Sequence, residues 1–152
     1  MTSKRYRNIT RGGFLAVGLL LSGHSAAAPT PGSIQVHVVG AGSDQGEIGC
    51  ALFASPDGFP MSAGKATTRW QRPNSGSATC RFDGLEPGRY AVAVSHDLNG
   101  NRRTDTNLLG MPVERWGVSN DARPRLRAPR FDEAAVILAE GEALRLTLRI
   151  AK

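Results

Sequence analysis

The amino-acid sequence predicts an all-β protein: an antiparallel β-sandwich of about seven short strands with one long ordered loop. Three observations carry this. Apolar and polar residues alternate with a period of two in several runs, which sends successive side chains to opposite faces of a strand. The runs are separated by Gly, Pro, Asn and Asp, the residues that turns require. Each of the two cysteines lies inside an apolar, strand-like run.

Along the chain, Ile34, Val36 and Val38 alternate with Gln35 and His37. Residues 47–54 form a short apolar run, 66–71 a mixed one with Thr67, Thr68 and Trp70, and 77–82 another. Tyr90, Val92 and Val94 alternate with Ala91, Ala93 and Ser95. Neither set is charged, so this strand is expected to be buried on both faces. Residues 134–138 are apolar, and Leu144, Leu146, Leu148 and Ile150 alternate with Arg145, Thr147 and Arg149. Residues 55–65 contain the turn signal Pro56-Asp57-Gly58 and room for one helical turn. Residues 99–130 read as a loop of unusual length, and loops that long are commonly functional or ligand-ordered. Its 122–130 portion is rich in Pro and Arg and is expected to be exposed.

The first 28 residues read as an export signal rather than as part of the fold. Lys4, Arg5, Arg7 and Arg11 form a positive n-region, 14–21 is a short apolar core, and Ala26, Ala27 and Ala28 supply a small-residue cleavage site. The apolar run is too short for a stable membrane span. No Arg-Arg pair in the n-region marks a twin-arginine route, and no Cys just after the apolar core is available to take a lipid. Residues 29–152 then form a single domain, periplasmic or secreted, without a transmembrane segment.

Export changes the charge argument. The chain carries 19 Lys and Arg against 13 Asp and Glu, and four of the positives but none of the acids lie in the signal, which leaves 15 against 13. So small an excess, with arginines not interleaved with aromatics, argues against a nucleic-acid partner. Cys50 and Cys80 form an even pair in an exported chain, which favours a disulfide between two strands. Closing a loop of roughly 30 residues stabilises by about 3–4 kcal/mol in the chain-entropy account. The alternative is two buried free thiols.

The stretch HDLNGNRRTDTNLLGMPVERWGVSN, from 96 to 120, carries the candidate site. Asp97, Asn99 and Asn101 fall at positions 1, 3 and 5 of a calcium loop, with the Arg103 carbonyl at 7 and Asp105 at 9. Calcium accepts carboxylate, amide and carbonyl oxygens, so this set is chemically suitable. Two departures weaken it. Gly100 stands at position 4 rather than 6, and Leu108 occupies the place of the bidentate Glu. Asn107, Glu114 and Asp121 are candidate sources of further oxygens. The competing reading is a metal-free cluster of Asx turns, in which Asp and Asn bond their own backbone. His96 lacks a second nearby His or Cys and reads as a hydrogen-bonding residue at the loop base, and His37 as solvent-facing. No nucleophile–base pair can be nominated, so enzyme chemistry is not expected. Trp116 and Trp70 suit either sugar stacking or anchoring of the loop on the core. Trp116, Arg115 and Asn120 are the residues expected to face a partner, while the cluster Arg115, Arg123, Arg125, Arg127 and Arg130 suits either an anionic surface such as lipopolysaccharide or peptidoglycan or, the simpler reading, a solvated loop.

The segment F-D-G-L-E-P-G-R-Y-A-V, ending in Tyr90, Ala91 and Val92, resembles a junction of transthyretin-like and carboxypeptidase-regulatory-like sandwiches, where the Tyr or its neighbours close one end of the core. Residues 82–120 as a whole resemble the bacterial domain-of-unknown-function family twenty-one forty-one. The residues that carry this are Tyr90, His96, Asp97, Asn99, Asn101, Asp105, Asn107, Gly110, Pro112, Glu114, Trp116, Gly117, Ser119 and Asn120, then Pro129, Phe131, Ala134 and Ala135. Trp116 stands where Tyr is common, and Arg102-Arg103 where Gly-Lys is common, which counts against tight cation binding. The resemblance implies a small exported sandwich without an assigned activity. The expected function is a non-enzymatic accessory or binding module at the envelope, its loop at 96–121 ordered by calcium or by its own hydrogen bonds, its partner an envelope protein or a polysaccharide. The alternative is a purely structural sandwich whose loop caps the fold.

Overall fold

The computed structural model describes residues 27–108, 112–125 and 127–152. All but the last two residues of the 1–28 export signal therefore lie outside the described residues. Eight strands succeed one another: β1 (Gly32–Val39), β2 (Glu47–Phe53), β3 (Thr67–Gln71), β4 (Ser77–Leu85), β5 (Gly88–Asp97), β6 (Trp116–Val118), β7 (Val136–Leu138) and β8 (Ala143–Arg149). One helical turn, α1 (Phe131–Ala134), precedes β7, and two 3-10 turns span Ala63–Lys65 and Ser119–Asp121. No helix among the described residues is long and apolar enough to cross a membrane.

The strands form two sheets. The smaller has the order β4-β1-β8, the larger β3-β2-β5-β6, with β7 pairing β5 beyond the end of β6. The period of two seen in the sequence becomes the inter-sheet core. Ile34, Val36 and Val38 of β1, Ala78, Cys80 and Phe82 of β4 and Leu148 of β8 meet Ile48, Cys50 and Leu52 of β2 and Tyr90, Val92 and Val94 of β5. Full burial of an aliphatic or Phe side chain contributes about 1.5–3 kcal/mol, so this interior supplies most of the drive to fold. Cys50 and Cys80 are bonded across it, one from each sheet. Tyr90 closes one end as expected: its hydroxyl donates to the Glu86 carbonyl at 2.8 Å. Burial, with the Glu86 charge adding to it, raises the phenol above its ordinary pKa.

The larger sheet is covered on its other face too, which explains why residues 90–95 of β5 carry no charge on either side. Phe53 and Ala91 pack under Phe131 and Ala134. Phe59 meets Phe53 and Phe131 edge to face, at 5.2 and 6.0 Å between ring centres. At the start of α1 the Arg127 guanidinium and the Arg130 backbone N–H both donate to the Glu133 carboxylate. These bonds, Arg127 first, lower its pKa from 4.5 to about 2. A carboxyl depressed in the folded state stabilises above its unfolded pKa and loses that contribution as pH falls through its folded one. Glu133→Gln is therefore expected to flatten the acid dependence of stability between 4.5 and about 2. Urea unfolding of both proteins at pH values inside that window checks this, and identical slopes against pH would contradict it.

The all-β sandwich of about seven strands is present, and the structure adds one strand and corrects two details. The eighth strand arises because β6 lies inside the stretch read as loop. Three residues are too few to display a period. The sandwich is not antiparallel throughout: β8 runs parallel to β1, with Ile34, Val36 and Val38 opposite Leu144, Leu146 and Leu148. Side-chain alternation reports a face but not the direction of a neighbour. Finally, 134–138 is not one strand. Ala134 ends α1 and β7 begins at Val136, because burying Phe131 and Ala134 on the sheet makes a turn of helix the better packing.

Candidate functional site

The outer face of the larger sheet that is not under Phe131 carries a groove of about 460 Å³, within the range of small-ligand pockets. Strand register builds it. Trp70 of β3 stands opposite Gly49 of β2, Gly49 opposite Ser95 of β5, and Ser95 opposite Trp116 of β6. One row across four strands thus has an indole at each end and two very small side chains between. Strands lie about 4.8 Å apart, so the tryptophan Cα atoms are separated by roughly 14 Å. The next row is Thr68, Ala51, Ala93 and Val118. Gly49 is required: a Cβ there would come within 2.5 Å of the Trp70 ring.

Each indole carries an arginine. The Arg102 guanidinium lies 5.6 Å from the centre of Trp70, and that of Arg123 5.4 Å from Trp116. Arg102 is fixed further by Glu47, at 3.0 Å. Arg123 donates to the carbonyls of Trp116 and Arg149 and so bridges the edges of the two sheets. Pro60 and Met61 line the groove as well, and so do Arg102, Arg103 and Thr104.

These three residues belong to the 97–105 loop, whose polar side chains the structure brings together. Asp97, fully buried, accepts backbone N–H groups of Asn99 (3.2 Å) and Gly100 (2.8 Å) on one carboxylate oxygen and of Arg102 (2.6 Å) on the other. Asn99 accepts from the Asn101 N–H at 3.0 Å and Asn101 from the Arg103 N–H at 2.8 Å, two successive Asx turns. Both carboxamides donate to Asp105, at 2.6 and 2.9 Å. Glu114 joins from β6's side, accepting from the N–H groups of Leu98 and Asp105 at 3.3 Å each. Asp121 instead lies in the 3-10 turn packed against β8 and α1. Among the described residues no three His, Cys, Asp or Glu side chains cluster to hold a metal ion. The loop offers two carboxylates and amide oxygens.

His96 sits at the loop base, 1% exposed, with Nε2 2.8 Å from the Gln45 carbonyl. His37 is exposed and faces Thr79 across the β1–β4 pair, 3.3 Å from its hydroxyl. The three residues expected to face a partner do not share a surface. Trp116 lines the groove. Arg115, its chain neighbour, points the other way, over Gly42 and toward the Gly40 carbonyl. Asn120 spends its carboxamide on the carbonyls of Glu133 and Ala135 and thereby ties the 3-10 turn to α1. Gly49, Thr68, Ala93 and Ser95, the groove floor and side, were not singled out from sequence as site residues. Their only signal is smallness on one face of adjacent strands.

Residues 36–145 match a family model described as "Uncharacterized protein conserved in bacteria (DUF2141)". The chain belongs to that family. The match runs from within β1 into β8, so the groove and the 97–105 loop both fall inside the DUF2141 region. No curated protein and no solved structure matches the chain.

Proposed function

We propose that this DUF2141 chain is an exported, envelope-associated accessory module that binds a ligand in the groove between Trp70 and Trp116 and performs no chemistry on it. The groove itself carries this reading. A sheet face that only had to be sealed would be covered as Phe53 is, by aromatic side chains from the chain's own loops. Here two indoles flank a floor of Gly, Ala and Ser. Aromatic walls with a few convergent polar groups are what a ligand site presents. The non-catalytic part rests on the titratable groups. His96 is held by a backbone carbonyl, His37 faces only a threonine, and both cysteines are in a disulfide. Export rests on the signal-like residues 1–28 and on that disulfide, which oxidising compartments allow.

A second reading, calcium ordering of the loop, is favoured by one observation. Both Asn carboxamides meet the Asp105 carboxylate within hydrogen-bond distance, and a carboxamide turned by half a rotation presents oxygen where it presented nitrogen. Asp97, Asn99, Asn101, Asp105 and the Arg103 carbonyl would be the ligands.

Ala93→Phe, on the groove floor, tests the main reading. The wild-type protein is expected in the periplasmic or secreted fraction and to be retained by isolated cell envelope. The variant is expected to have the wild-type circular dichroism and a somewhat lower unfolding midpoint, Ala93 being partly buried against the Phe131 cluster, but, compared with the wild type well below both midpoints, to lose retention. Equal retention of the two would place binding elsewhere or nowhere, in favour of a purely structural module.

A further inference from the structure

We propose that the groove is a site for an acidic saccharide, a pyranose ring bearing a carboxylate. The inference rests on the binding-module reading and names the ligand class for that site. Three features converge on it. The walls are indoles, whose apolar bodies and polar edges suit a ring with C–H faces and a hydroxylated rim. The groove also presents three hydroxyls, those of Thr68, Ser95 and Thr104. None has a hydrogen-bond partner among the described residues. Ser95 is the most telling, because it is 8% exposed, yet no buried side-chain oxygen among the described residues lacks a partner. Its hydroxyl therefore opens on the groove.

Charge, the third feature, selects among sugars. The groove lining includes Arg102 and Arg103 and no Asp or Glu. Arg102 is neutralised by Glu47. Arg103 is exposed and lines the groove, its backbone N–H is held by Asn101, and its guanidinium has no acidic or carbonyl partner among the described residues. A guanidinium so placed matches a carboxylate by paired N–H donors. A neutral sugar would leave Arg103 unused, and an aromatic acid would leave three hydroxyls without partners. A ring with both hydroxyls and a carboxylate uses all of them.

The test is tryptophan fluorescence of the exported protein titrated with tri-galacturonate, with an N-acetylmuramic-acid disaccharide and with galactotriose as the neutral control. An acidic probe is expected to bind at least about tenfold more tightly than the neutral one, the scale of one charge-assisted contact. Saturation by the muramic-acid probe alone points to cell-wall fragments as the source, and by tri-galacturonate to uronate polymers. Arg103→Gln, at an exposed position, is expected to abolish the preference, and Ser95→Ala to weaken all probes several-fold. Equal binding of acidic and neutral probes would overturn the charge assignment. No saccharide binding while Ala93→Phe still frees the protein from the envelope would overturn the saccharide class and leave the binding module standing. Failure of both experiments would remove both.

Discussion

Replacing Cys50 and Cys80 together with Ala is expected to lower stability by about 2–5 kcal/mol, a large part of the roughly 5–15 kcal/mol a domain of this size possesses. The two Cα atoms are 6.5 Å apart and the residues 30 positions apart in sequence, so the bond removes long-loop freedom from the unfolded chain. It also joins β2 to β4, hence one sheet to the other, and both cysteines are fully buried. The substitution removes two sulfur atoms from the middle of the core as well, and the cavity adds to the loss. Urea unfolding of the double variant beside the wild type measures the effect. A difference below about 1 kcal/mol would mean that the rest of the core holds the sheets together unaided.

Asp97→Ala is expected to cost about 3–4 kcal/mol, since hydrogen bonds to a charged acceptor contribute about 1.5–3 kcal/mol each and part of the loop can turn to water instead. Three backbone N–H groups, of Asn99, Gly100 and Arg102, lose their shared acceptor. The consequence reaches the groove, because the bond to Arg102 positions the side chain that covers Trp70. With the loop held by its own hydrogen bonds, thermal unfolding of the variant shows the same loss in EDTA and in millimolar calcium. A loss confined to calcium assigns the loop to the ion. In that case the wild type also gains about 2.7 kcal/mol at a calcium concentration one hundred times the dissociation constant.

Much of this architecture is legible in residue order, and the part that is not has a common cause. The alternation at Leu144, Leu146 and Leu148, the uncharged stretch 90–95 of β5 and the Tyr90 junction are local, and an even pair of cysteines favours a disulfide over free thiols. Each appears in the structure where it was expected. The Asx chemistry of 97–105 is likewise a short-range property of Asp and Asn, and its hydrogen bonds match the sequence spacing. The groove is different. Residues 49, 70, 95 and 116 are far apart in the chain and become one row only through the registers of β2 with β3, β2 with β5 and β5 with β6. Register is a tertiary quantity. The same reason separates Arg115 from Trp116: adjacent residues of an extended chain face opposite ways, which becomes readable only once the start of β6 is known.

Nuclear magnetic resonance offers the most direct test of the groove as the ligand site, because the chain has two tryptophans and both flank the groove. Solubilised envelope polysaccharide is added to labelled protein while the two indole N–H signals are monitored. Binding in the groove shifts both indoles together and saturably, and leaves the amides of His37, Thr79 and Thr147 on the outer face of the smaller sheet in place. Saturable shifts at those amides with both indoles unmoved would contradict the assignment.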